Sequence, residues 1–97
     1  MGGLNPAAIT ISLEGAYDIS SRDALRRLFA PVERADAAII DLSAVTYADT
    51  TLLNALLNLR ERMRARGNNG AIRLVGSSAN MRKILTITRL DRLFEVA

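Results

Sequence analysis

The chain has 97 residues, 49% of them hydrophobic, enough for one small domain with a real core. It contains no Cys and no His, which excludes disulfides, thiol nucleophiles, imidazole bases and zinc sites of the usual ligand type. The net charge is +3, from 13 bases (all arginine except Lys83) interspersed with 10 acids. This mixing, together with only Phe29, Phe94, Tyr17 and Tyr47 as aromatics, argues against a nucleic-acid surface with stacking platforms. No run approaches the roughly 18 apolar residues of a membrane span. The start, Met1-Gly2-Gly3-Leu4-Asn5-Pro6, has no basic region followed by an apolar segment, and Pro6 stands where a myristoylation pattern needs Ser or Thr. A cytoplasmic protein without membrane insertion is expected.

Residues 1–7 are small and turn-like, and a loose N-terminus is expected there. From Ile9 the pattern alternates, with Ile9, Ile11 and Leu13 on one face and Thr10, Ser12 and Glu14 on the other, as in a half-buried strand ended by Gly15. Ser20 with Asp23 three residues later resembles a capping box. Leu25, Leu28, Phe29 and Val32 then share one helical face, and Pro31 ends or kinks that helix. Ala37 to Leu42 is a short continuous apolar run, suited to a central strand covered on both faces, with a loop from Ser43 to Ala48 after it. The next helix is predicted from about Thr51 to Arg66, closed by Gly67. Ala71 to Val75 reads as a strand stopped by Gly76. Ser77 or Ser78 caps a third helix through about Thr88, with Ile84, Leu85 and Met81 inward. A last helical turn and a short strand follow through Leu90, Leu93, Phe94 and Val96. Alternating strands and helices predict a single α/β domain over 1–97, with a mixed, mostly parallel sheet of about four strands and about three or four helices.

At about 100° per residue the helix after Asp49 sorts cleanly. Leu52, Ala55, Leu56, Leu59 and Met63 form the core face, and Asn54, Asn58, Glu61 and Ala65 the solvated one. Leu53 and Leu57 fall on neither. They group with Arg60 and Arg64 in a side stripe, either covered by a neighbouring helix or left open as an apolar strip with a basic border for a partner. At the start of this helix lies Asp49-Thr50-Thr51. Its side-chain oxygens serve as caps, and a phosphate on either hydroxyl would sit at the positive end of the helix dipole.

The pieces Leu13-Glu14-Gly15-Ala16-Tyr17-Asp18, Ile39-Ile40-Asp41-Leu42-Ser43 and Val45-Thr46-Tyr47-Ala48-Asp49-Thr50-Thr51, followed by Arg66-Gly67, Leu74-Val75-Gly76 and Leu90-Asp91-Arg92-Leu93-Phe94, resemble a STAS domain in order and spacing. The type resembled is the bacterial anti-sigma-factor antagonist. The resemblance implies a phospho-acceptor at Thr50, with Thr51 as the alternate. It also implies a partner surface that includes Asp18, Asp49 and Thr50. Leu53, Leu57, Arg60 and Arg64 complete the expected partner-binding set. The implied partners are an anti-sigma factor that is also a serine kinase, bound by the unmodified domain, and a phosphatase that resets the switch. The chain departs from the family pattern where Gly is common: Leu52 would add bulk beside the acceptor, and Asn54 and Arg89 also replace Gly.

No catalytic residue, metal or cofactor is expected. Asp18, Asp41 and Asp49 could converge near strand ends on Mg²⁺ as in a receiver domain, but they are too dispersed for that pattern and Lys83 falls within a helix. For Asp41 a structural role on loop amides is expected. The alternative function is a STAS subunit of a membrane transport complex of the ABC lipid-transport type, regulating its ATPase by contact. The sequence leaves the oligomeric state, the upstream signal and the particular sigma factor open.

Overall fold

The computed structural model describes residues 8–97, so the loose start expected over 1–7 lies outside the described residues. Four strands, β1 (Ala8–Tyr17), β2 (Ala37–Ala48), β3 (Ala71–Val75) and β4 (Glu95–Val96), alternate with three helices, α1 (Arg22–Phe29), α2 (Thr50–Ala65) and α3 (Ala79–Ile87). The strands lie side by side in sequence order and every pair is parallel, so the mostly parallel sheet of about four strands is found, without the antiparallel pair that a mixed sheet would contain.

This order decides which side the helices occupy. Right-handed crossovers that all step in the same direction put every helix on the same face of the sheet. Burial follows suit. Leu13 of β1, Ala38, Ile40 and Leu42 of β2, and Ile72 and Leu74 of β3 join Leu25 and Phe29 of α1, Leu52, Leu56, Leu59 and Met63 of α2, and Met81 and Leu85 of α3 in one core. The other face presents Thr10, Ser12, Ile39, Asp41, Arg73, Val75 and Glu95, none of them buried among the described residues. The apolar run in β2 is therefore covered on one face, not on both.

The elements depart from expectation in informative places. β1 continues through Gly15 to Tyr17, because Gly15 takes φ +84° at a bulge where the pairing with β2 shifts register. The Tyr17 hydroxyl accepts the Glu14 N–H at 3.0 Å beside that bulge. The expected loop Ser43–Ala48 is strand, since β2 keeps pairing with the long β1 after β3 has ended. The capping box pairs Asp18 with Ser21, not Ser20 with Asp23: Ile19–Ser21 form a 3-10 turn ahead of α1. Leu28 is exposed rather than inward, because α1 closes at Phe29 and the chain tightens into a 3-10 turn, Ala30–Arg34, that carries Pro31. α2 runs one residue earlier at each end than expected, and Gly67 closes it at φ +89°. Ser78, not Ser77, caps α3 by accepting the Met81 N–H at 3.0 Å.

Candidate functional site

β1 and β2 end together. Tyr17 pairs with Ala48, so the next residue on each strand, Asp18 and Asp49, leaves the sheet at the same level. The Asp49 N–H reaches back to the Tyr17 carbonyl at 3.3 Å and ties the two exits to each other. The two aspartates then do the same job. Each is extended (φ −125° at Asp18, −118° at Asp49) and caps the turn that follows. Asp18 Oδ1 accepts the Ser20 N–H at 2.9 Å, and Asp49 Oδ1 accepts the Thr51 N–H at 2.8 Å. Parallel register thus turns two separate caps into neighbouring carboxylates on the C-terminal rim of the sheet, the edge where open α/β sheets place their sites.

The Asp18 carboxyl is held below the usual carboxylate range, chiefly by the Ser20 hydroxyl and next by the Ser20 N–H. Asp41 is also lowered, by the Ser43 N–H at 2.9 Å and then by the Ser43 hydroxyl. Asp41 therefore has a structural role, but the amide it holds, that of Ser43, lies within β2 and not in a loop. Among the described residues no group of three or more acids gathers in a metal-holding arrangement, so Asp18, Asp41 and Asp49 do not build a receiver-like cation site.

Thr50 opens α2 on the surface, with its hydroxyl outside any hydrogen bond among the described residues. Thr51 is half-buried and its N–H is taken by Asp49. Leu52 is fully buried, so the bulk it was expected to add beside the acceptor points into the core. Of the two positions in α2 where the resemblance led to an expected Gly, Asn54 is the exposed one, a turn above Thr50 in the same groove.

The side stripe divides. Leu53 is only 6% exposed and belongs to the core, which corrects the expectation of an open strip at that position. Leu57 is half-buried against the core and reaches the α1–α2 groove. The stems of Arg60 and Arg64 lie against the Gly70 turn, where a Cβ would meet Arg64 Cγ at 2.8 Å. These arginines border the start of β3, and they are absent from the groove lining beside Thr50.

That groove, about 550 Å³ between α1 and α2, is what sequence reasoning missed. Ile19, 75% exposed, lines it together with Thr50, Arg22, Asp23, Arg26, Asn54 and Asn58. The available signal was the i, i+4 spacing of Arg22 and Arg26, on a helix whose packing partner the periodicity does not name.

A family model described as Mlab, STAS domain matches residues 3–95. The chain belongs to the STAS-domain family. A STAS-domain-containing protein of Pseudomonas aeruginosa (strain UCBPP-PA14) is 34% identical over 93 residues, 92% of this chain and 87% of that one. An anti-sigma factor antagonist from Mycobacterium paratuberculosis superposes with a TM-score of 0.78 at 25% identity, over 93% of this chain and 76% of that one. The Bacillus cell-fate determinant SpoIIAA in its phosphorylated form shares the fold with a TM-score of 0.70 at 16% identity, over 97% and 86% of the two chains. So does the STAS domain of a SulP transporter from Vibrio cholerae, with a TM-score of 0.67 at 18% identity, over 96% and 77%.

Proposed function

We propose that this STAS domain is a regulatory binding module of the anti-sigma-factor antagonist kind, switched by reversible phosphorylation of Thr50. In the unmodified state it binds an anti-sigma serine kinase through the rim formed by Asp18, Asp49 and Thr50, with Ile19 and Leu57 beside them. The observation that carries the reading is the setting of Thr50. Its hydroxyl is exposed and outside any hydrogen bond among the described residues, at the positive end of a 16-residue helix, next to two carboxylates already fixed as caps. A phosphate adds roughly 1.5 to 2 negative charges. The helix end tolerates it, so the fold survives. In a closed interface the same charge must be desolvated beside Asp18 and Asp49, and the complex is lost.

The test is modification and binding with the partner kinase identified by capture from the native cell. Mass spectrometry should place phosphate on Thr50, and Thr50→Ala should abolish it while retaining the complex. Thr50→Glu should weaken the complex by about tenfold or more. A Thr50→Glu protein that binds like the wild type rejects the switch. The fold is also that of a transporter STAS domain, which keeps a second reading in play, a STAS subunit of an ABC-type lipid-transport complex regulating its ATPase by contact. That reading predicts capture of an ATPase and a permease in place of the kinase.

A further inference from the structure

The proposed switch places charge at Thr50 but leaves open where that charge goes. Arg22 and Arg26 are one helical turn apart on α1 and line the same groove as Thr50. Both are exposed, and neither forms an ion pair among the described residues. Arg62, also on the groove, is already engaged by Glu33 at 3.7 Å. Asp23, in the first turn of α1, lines the same groove and is, among the described residues, the one carboxylate that an anion there would meet, so it offsets part of the charge of the two arginines. The placement of Arg22 and Arg26 still runs against local rules. Like charges at i, i+4 repel, and a cation at the first position of a helix opposes its dipole. An anion seated between them would relieve both conflicts, and two guanidinium forks match the oxygens of a phosphate. Asn54 and Asn58, facing them from α2, add side-chain amide donors.

We infer that Arg22 and Arg26 form a clamp that receives the phosphate of phospho-Thr50 across the α1–α2 groove. This rests on the phosphorylation reading and adds its structural outcome. The modified side chain fills the groove mouth and occupies both arginines. A partner then loses the groove and its two cationic contacts along with the unmodified hydroxyl.

The clamp is tested without any kinase, by installing phosphothreonine at position 50 during translation and following the phosphate by ³¹P NMR as pH is varied. The second ionisation of a free phosphothreonine lies near pH 6. In the otherwise wild-type protein it should fall about one unit below its value in an Arg22→Gln/Arg26→Gln background, measured at physiological ionic strength. Arg27→Gln is the control for charge alone, since Arg27 is exposed on the same helix but absent from the groove lining; it should leave the midpoint in place. Equal midpoints in the wild-type and double-variant backgrounds, or an equal rise in Arg27→Gln, would overturn the clamp. Failure of a kinase to modify Thr50 bears on the phosphorylation reading and not on this titration.

Discussion

At the residue scale the chain accepts one backbone conformation that its side chain resists. Arg89 sits at φ +63°, the left-handed region, where α3 hands over to a 3-10 turn, Leu90–Arg92. The glycine that the resemblance led one to expect at this position would have a physical reason: the turn requires positive φ, and a Cβ there costs about 1–2 kcal/mol. Arg89→Gly should therefore stabilise the domain by about 0.5–1 kcal/mol, the gain being reduced by the greater backbone entropy of glycine in the unfolded chain. Urea unfolding checks this as a rise in midpoint at constant slope; an unchanged or lower midpoint contradicts it. Arg89 was legible in the sequence as a departure from pattern, but the conformation that makes the departure costly was not.

At the element scale the caps link stability to pH. Asp18 caps the turn before α1, and its carboxyl is lowered from the ordinary 3.8 by the Ser20 hydroxyl and N–H. A carboxylate with a depressed folded pKa binds fewer protons in the folded than in the unfolded state, so its contribution is complete above about pH 3.8. That contribution is lost as pH falls through the lower folded value. Asp18→Asn keeps a capping oxygen but not the titration, so its stability should fall less steeply than wild type below pH 3.8. Denaturant midpoints measured on both sides of that pH decide the matter, and parallel acid limbs would refute the link. The sequence located a capping signal here but chose the wrong pair. Ser20 and Asp23 have the right spacing, whereas the actual cap follows from where β1 stops, and β1 stops three residues later than Glu14 because β2 extends with it.

At the scale of the whole molecule one core serves one face of the sheet. Adjacent residues of β2 therefore carry unequal weight: Ile40 is fully buried under the helices, and Ile39 faces the uncovered side. Ile40→Ala should cost about 2–5 kcal/mol through lost transfer energy and the cavity left behind. Ile39→Ala, half-exposed already, should cost about 1 kcal/mol or less. Calorimetric or denaturant unfolding of the two variants compares them directly, and equal losses would mean that the second face is covered in solution. The single-sided arrangement also explains the site. With all helices on one side, the rim beyond Tyr17 and Ala48 stays open above the sheet, and α1 meets α2 beside it to form the groove.

The sequence alone determined the alternation of strands and helices, the inward faces of β1 and α2, and the Asp-Thr-Thr junction, because side-chain periodicity and caps are local consequences of backbone geometry. Only the tertiary structure decided that Asp18 and Asp49 are neighbours, that Leu53 is buried, and that Arg22 and Arg26 line the same groove as Thr50. Periodicity gives the direction of a side chain about its own axis. What stands opposite is set by strand register and by the face on which each crossover packs.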